Sequence, residues 1–195
     1  MIRLFDILFS LLGLLLLSPL FVVLYLLIIS ESKGGAFYIQ ERIGQNGKAF
    51  GLYKFRSMRV GSDAEGLLTV GERDNRITRI GYILRKTKID ELPQLLNVLK
   101  GDMSLVGPRP EVRKYTDMYT EEQRKVLSVR PGITDYASIE YVNENELLSK
   151  ADDPERMYIE IVMPNKIKLS MKYLEHYTIG EYFKIIFLTF KSLIR

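Results

Sequence analysis

Two adjacent carboxylates, Asp90 and Glu91, stand at the end of a basic run containing Arg73, Arg76, Arg79, Arg85, Lys86 and Lys88. Gly107-Pro108-Arg109-Pro110 closes the same stretch. A basic cluster leading into a helix N-terminus is an anion site twice over, because free amides and the helix dipole add to the side-chain charge. Arginine adds bidentate contacts to phosphate oxygens. An aspartate held ionised in such a field can attack phosphorus and form an acyl phosphate. A neighbouring glutamate can bind magnesium, which takes a few carboxylate oxygens together with substrate phosphates and retained waters. The bland alternative is that Asp90 caps the helix, Glu91 is an acid of its first turn, and neither does chemistry. A general base would have to be a carboxylate, tyrosine, lysine or substrate phosphate, because the single histidine, His176, reads as a structural or surface residue.

Composition narrows the classes further. The chain has 195 residues and no cysteine, so disulfides, thiolate metal sites and cysteine nucleophiles are ruled out. One histidine cannot build a His-metal cluster. A net charge of +4 suits phosphates or acidic lipid headgroups. Nucleic acid is not expected, since no aromatic RNA-binding signature or basic recognition helix occurs and the basic residues interleave with hydrophobic ones.

The elements that must position the dyad begin with residues 7–29, an almost unbroken apolar run with Ser18-Pro19 at its middle. As one helix it would reach about 35 Å, enough for a bilayer core of about 30 Å. Pro19 has no amide for the Leu15 carbonyl, so a bend is expected there, with the Ser18 hydroxyl covering a freed backbone group. Either a span or a re-entrant hairpin is open. The hairpin is preferred because it returns Arg3 to the interface that holds Lys33, in keeping with the bias of positive charge toward the cytoplasm. A cleaved signal peptide fits poorly, because the run is too long and Ser30-Glu31-Ser32 is a poor cleavage site. Residues 1–30 thus read as a membrane anchor and 31–195 as one cytoplasmic domain.

Within that domain, residues 36–43 and 48–55 read as a β-hairpin around Gln45-Asn46-Gly47. Residues 60–75 are polar and glycine-punctuated, a loop over a site. Ile77, Ile80 and Leu84 recur at helical spacing. A second helix starts at Asp90, tolerates Pro93 in its first turn, buries Leu92, Leu95, Leu96 and Leu99, and stops at Gly101. Thr120 and Gln123 form a capping box. Residues 136–150 read as mixed, and Asp152-Asp153-Pro154 starts a helix interrupted at Pro164. In the C-terminal helix 180–195, Glu181, Lys184, Lys191 and Arg195 make one narrow stripe, and Tyr182, Phe183, Ile185, Ile186, Phe187 and Phe190 fill the rest. That pattern fits a core helix or one lying in a lipid interface. The fold class is α+β, mostly helical, with a helix-break-helix anchor, one β-hairpin and interfacial amphipathic helices.

Residues 85–110, which include Ile89-Asp90-Glu91-Leu92-Pro93-Gln94-Leu95 and Gly107-Pro108-Arg109-Pro110, resemble the signature of the bacterial sugar transferases, the monotopic polyprenyl-phosphate phosphoglycosyl transferases. Residues 37–44 with Lys54-Phe55-Arg56-Ser57-Met58 resemble that family's hairpin and its exit. Arg130-Pro131-Gly132-Ile133-Thr134 resembles its later loop, and Ser18-Pro19 its membrane anchor. The resemblance implies that Asp90 attacks the sugar-proximal phosphate of a UDP-sugar and releases UMP. Polyprenyl phosphate, such as undecaprenyl phosphate, then takes the phosphosugar. Glu91 is implied as the magnesium ligand, and Arg85 and Arg109 as phosphate contacts. Lys54, Arg56, Lys88 and Arg130 are implied on the substrate-binding side. For Lys54, Arg56 and Lys88 a plain surface charge is the alternative. The implied location is the cytoplasmic face of the bacterial inner membrane, at the first membrane step of glycoconjugate synthesis. Two positions depart from the pattern: Asp135 stands where many members have Gly, and Lys88 where a small residue is common. Absence of the further N-terminal spans of longer members suggests a minimal form. A non-catalytic, membrane-attached binder of anionic lipid or nucleotide, and direct sugar transfer with release of UDP, are the competing functions. Residues 60–75 and 136–150 are the expected seat of sugar specificity.

Overall fold

The computed structural model describes residues 1–62, 68 and 74–193, so Arg73, most of the loop expected over the site, and Arg195 lie outside the described residues. Helix α1 runs from Ile2 to Glu31. Pro19 sits inside it, and the Ser18 hydroxyl donates to the Leu15 carbonyl at 2.8 Å, the acceptor that Pro19 leaves without an amide. The orphaned carbonyl is thereby satisfied in the way expected, and helical structure runs through Pro19 as one element. Length and apolar composition allow this helix to cross a membrane.

One stripe of α1, including Asp6, Ser10, Leu24 and Ile28, is buried against the rest of the chain. Leu11, Leu15, Leu16, Val22 and Leu26 are exposed on the other sides. Both ends are fastened. Arg3 donates to the carbonyls of Val98 and Leu99 at 2.6 and 2.9 Å, and Asp6 Oδ1 accepts from Ser104 Oγ, the Leu105 amide and the Tyr182 hydroxyl, each at 2.9 Å. At the other end, Glu31 accepts from the amides of Arg79 and Ile80 at 2.7 and 2.9 Å. Arg56 donates to the Ser32 carbonyl and hydroxyl at 3.0 and 3.1 Å, a cation at the negative end of the helix dipole.

Strands β1 (Phe37–Ile43) and β2 (Ala49–Phe55) pair antiparallel, with Phe37 opposite Phe55 and Ile43 opposite Ala49. Their turn takes positive φ at Asn46 and Gly47, as an Asn-Gly pair permits. Helix α2 (Arg79–Lys86) is capped by Thr78, whose hydroxyl accepts from the Gly81 amide at 2.9 Å, in addition to Glu31. After a 3-10 turn over Ile89–Glu91, helix α3 (Gln94–Lys100) runs to Gly101, which closes it in the left-handed conformation.

Asn97 docks α3 on the hairpin. Its Oδ1 accepts from the Tyr53 amide at 2.9 Å and its Nδ2 donates to the Gly51 carbonyl at 2.7 Å, so one side chain serves as the next strand along the β2 edge. A second small sheet was not expected: β3 (Ser104–Val106) and β4 (Gly132–Thr134) pair in parallel. Three-residue strands are too short to show a period, and their approach depends on bare backbone. A Cβ on Gly132 would run into the Gly107 amide nitrogen.

The remaining chain is helical: α4 (Arg113–Thr116), a 3-10 segment Gln123–Ser128, α5 (Tyr136–Glu140), α6 (Glu144–Ser149), α7 (Pro154–Met157), a π segment Tyr158–Val162, α8 (Met163–Glu175) and α9 (Ile179–Leu193). The capping box forms as expected, with Thr120 N donating to Gln123 Oε1 at 2.9 Å and Gln123 N to Thr120 Oγ1 at 3.2 Å, although the helix it opens is 3-10. The π segment supplies the irregularity expected before Pro164. Helix α9 has two apolar faces. Tyr182 and Ile185 are buried, whereas Phe187 and Phe190 are 69% and 64% exposed. Phe183 packs edge-on against Phe5 of α1, with ring centroids 5.1 Å apart.

Replacing Asn97 with Leu keeps the volume and removes both edge bonds, stranding the Tyr53 amide and the Gly51 carbonyl. A loss of about 2 to 4 kcal/mol is expected for two unmet backbone groups. Thermal unfolding in detergent checks it, and an unchanged midpoint would show that Asn97 does not carry the docking.

Candidate active site

The turn between α2 and α3 is shaped by Lys88, a non-glycine residue in the left-handed region at φ 57°. A side chain there is tolerated at some cost. The turn sends the chain straight into Ile89–Glu91, so both carboxylates arrive on a tight 3-10 turn at the head of α3.

Asp90 is 5% exposed and its carboxylate makes no hydrogen bond to any described residue. Neither the 3-10 turn nor α3 has a side-chain cap, so the capping reading of Asp90 does not hold. Burial, and then the charge of Glu91, push the Asp90 carboxyl up to about 6 against the opposing pull of Lys54, Arg85 and Lys88.

Glu91 behaves oppositely. Its Oε1 accepts from Arg109 Nη2 in a short charge-assisted bond and from Lys54 Nζ at 3.4 Å. Burial alone would raise its pKa, but Arg109 and Lys54 outweigh burial and hold it well below the usual carboxylate range. Lys54 is lowered by burial, with Glu91 opposing. Arg109 also donates to the Ile133 carbonyl at 3.1 Å, tying the site to β4. Glu91 Oε2 accepts from no described residue, which leaves one ionised oxygen for a metal. No group of three or more acidic or histidine side chains that could hold a metal occurs among the described residues. That is compatible with magnesium, which is satisfied by one or two carboxylates plus phosphates and water.

Arg85 and Lys88 lie within Coulombic range of Asp90 and pair with no described side chain, so both cations are available to an anionic ligand. Lys54, Arg85, Lys88, Asp90, Glu91 and Arg109 therefore come together. Arg56 and Arg130 do not join them. Arg56 is spent on the end of α1, and its buried Nε has no partner. Arg130 Nε donates to the Gly101 carbonyl at 3.0 Å, at the opposite end of α3, where its side chain helps line a cavity of about 370 Å³ with Arg3, Asp6 and Tyr177. Ser18 and Pro19 stand exposed midway along α1.

Asp135, one of the departures, is fully buried. Its Oδ1 accepts from the Ser138 amide at 2.8 Å, capping α5, and its Oδ2 from the Ser170 hydroxyl at 2.6 Å. Its role is to lock α5 onto α8. Sequence reasoning missed Arg42, which donates to the Pro110 carbonyl at 3.2 Å and to Glu111 at 2.9 Å and so braces the Gly107–Pro110 turn on the hairpin. It also missed Glu144, in ion pair with Lys166 at 2.7 Å and close enough to act on Arg109. Pairs this far apart in sequence leave no local signal.

The sequence pattern of the bacterial sugar transferase family matches residues 1–195. A Bacillus subtilis (strain 168) protein, a putative undecaprenyl-phosphate N-acetylgalactosaminyl 1-phosphate transferase, is 49% identical over 120 residues, covering 62% of this chain and 67% of that protein. The UDP-N-acetylgalactosamine-undecaprenyl-phosphate N-acetylgalactosaminephosphotransferase of Aeromonas hydrophila is 44% identical over 69% of this chain and 32% of its own length. The UDP-glucose:undecaprenyl-phosphate glucose-1-phosphate transferase of Klebsiella pneumoniae is 36% identical over 98% of this chain and 40% of its own length. This chain thus spans well under half of the last two proteins. The match of the family pattern from end to end, over a site assembled from the same motifs, places the chain in the bacterial sugar transferase family.

Proposed function

We propose that this chain transfers a phosphosugar from a UDP-sugar to a polyprenyl phosphate, undecaprenyl phosphate in bacteria, and releases UMP. The observation that carries this reading is the contrast within the dyad: Glu91 is locked by Arg109 and Lys54, while the adjacent Asp90 carboxylate accepts from no described residue and lies within Coulombic range of Arg85 and Lys88, which pair with no described side chain. In the first step an Asp90 oxygen attacks the sugar-proximal phosphorus, the bond from that phosphorus to the oxygen bridging to UMP breaks, and UMP leaves. In the second, an oxygen of the lipid phosphate attacks the same phosphorus and returns the aspartate carboxylate. The bond between sugar and phosphate oxygen is untouched throughout.

Arg85, Arg109 and Lys88 would hold the diphosphate by charge-assisted contacts, which act strongest where water is excluded. Magnesium, when bound through Glu91 Oε2, would neutralise phosphate charge. Relatives are named for N-acetylgalactosamine and for glucose transfer, so the donor sugar is left to assay. The product would be the first membrane-bound unit of a polysaccharide or other glycoconjugate.

The lipid acceptor requires the dyad to lie at the membrane surface. The exposed apolar surface of α1 and the Phe187 and Phe190 edge of α9 support burial in lipid. Arg3 and Asp6 at one end of α1, and Glu31 at the other, bond to the same body of the protein. Those attachments favour a re-entrant anchor whose two ends share the cytoplasmic face of the inner membrane, because a span would carry the first turn away from its partners.

Incubated with UDP-glucose or UDP-N-acetylgalactosamine and undecaprenyl phosphate in nanodiscs with magnesium, the protein should release UMP and no UDP. UDP release would indicate direct sugar transfer, and no nucleotide release with any donor would indicate a binder. Asp90→Asn should lower turnover at least 100-fold, since an amide cannot form the acyl phosphate. The same variant tests the electrostatics. Asp90 has a folded pKa raised from 3.8 to about 6, so its contribution to stability is present below the lower value and lost as pH rises through the upper. Metal-free Asp90→Asn should therefore gain thermal stability over the parent between pH 4 and pH 7, and a pH-independent difference would refute the burial argument. For topology, cysteines placed at positions 2 and 33 should both react with an impermeant label from the cytoplasmic side only. Labelling of position 2 from the periplasm would make α1 a spanning helix.

A further inference from the structure

Gln94, the first residue of α3, is fully buried, and neither its Oε1 nor its Nε2 has a hydrogen-bond partner. A buried polar atom left unmet is destabilising, so a carboxamide kept in this state calls for a use elsewhere in the working cycle. Its position supplies one. Leu92 and Pro93 are both right-handed helical, so the chain coils without a break from Ile89 to Lys100, bonded i to i+3 as far as Leu96, and Asp90, Gln94 and Asn97 all lie on its buried stripe. Along a helix the Cα–Cβ bonds tilt toward the N-terminus, which inclines Gln94 toward the turn that carries Asp90.

The three residues of this stripe differ in one respect. Asn97 spends its whole amide on the edge of β2. Among the described residues the Asp90 carboxylate accepts no hydrogen bond, and the amide of Gln94 between them makes none. A carboxylate that must present one oxygen to phosphorus needs its other oxygen held, because a side chain free to rotate about its terminal bond spends little time in the attacking orientation. The amide of Gln94 lies one helical turn away and is a neutral donor, so it can hold that oxygen without adding charge to the site.

We propose that Gln94 is a positioning residue for Asp90: after side-chain rotation its Nε2 donates to the carboxyl oxygen that does not attack, and keeps that bond when the oxygen becomes the carbonyl of the acyl phosphate. The inference rests on Asp90 being the nucleophile.

Gln94→Met is close to isosteric and removes only the amide, with Gln94→Leu as a second variant in case the thioether packs poorly. The thermal midpoint, the single-turnover rate of UMP release and the KM are measured with UDP-glucose or UDP-N-acetylgalactosamine. The midpoint should hold or rise, because two unmet polar atoms are gone. The single-turnover rate should fall about 10- to 100-fold with KM within about twofold, the pattern of an interaction made in the transition state and not in substrate binding. A rate within twofold of the parent in both variants overturns the proposal. So does a lowered midpoint in both, which assigns the amide to the β2 edge beyond Tyr53. Asp90→Asn is run in parallel: turnover there removes the nucleophile reading altogether, whereas an inactive Asp90→Asn beside a fully active Gln94→Met overturns the role of Gln94 alone.

Discussion

The Glu91 carboxylate is where three distant segments of the chain meet. Lys54 reaches it from β2 and Arg109 from the turn before Glu111, while Glu91 itself sits on the 3-10 turn at the head of α3. Arg109 extends the tie to β4 through the Ile133 carbonyl. A buried carboxylate is stable only if paired, and removing one partner from such a set typically costs about 3 to 5 kcal/mol because the remaining charge is stranded. The clamp therefore makes the geometry of the dyad depend on the whole hairpin and on both small sheets. It also sets the chemistry of its neighbour. Burial, and then the charge of the ionised Glu91, drive the Asp90 carboxyl upward, while Arg85 and Lys88 pair with no described side chain.

The scaffold beneath the dyad is one body with the apolar helix. Asn97 hangs α3 on the edge of β2, and Arg3 holds the last carbonyls of α3 from the first turn of α1. Glu31, at the far end of α1, caps α2, whose last turn carries Arg85. The turn that carries Asp90 and Glu91 lies between α2 and α3, so both of its supports are fixed to α1. If α1 lies in a bilayer, as proposed, this coupling would set the height of Asp90 relative to it by direct bonds and not by a flexible linker.

Much of the site was legible because its parts are local in sequence. The adjacent carboxylates at the head of a helix, the Asn-Gly hairpin, the Gly101 stop and the Thr120–Gln123 box depend on neighbouring residues, and the structure forms each of them; of the basic run, Arg85 and Lys88 come near Asp90, Arg76 pairs with Asp74, and Arg73 lies outside the described residues. What escaped depends on contacts between distant segments. The β3–β4 pair has strands of three residues and depends on Gly107 and Gly132 meeting, and Asn97 acts as a strand edge only once α3 lies on β2. Arg56 and Arg130 carry the right charge in the right motifs, yet their guanidiniums are drawn to helix carbonyls at Ser32 and Gly101, where the dipole offers a nearer negative partner than the site does. At Pro19 the local reading held in one respect: the Ser18 hydroxyl covers the Leu15 carbonyl, as expected.

The proposed transfer depends on Asp90 carrying the phosphosugar between the two substrates, and the intact mass of the protein tests this most directly. Quenched after incubation with a UDP-sugar and magnesium but without lipid, the protein should gain the mass of one phosphosugar, release about one equivalent of UMP, and yield an adduct that maps to the peptide containing Asp90. The adduct should vanish on addition of undecaprenyl phosphate. UMP release that begins only with lipid, with no adduct on the protein at any quench time, would contradict a covalent aspartyl intermediate.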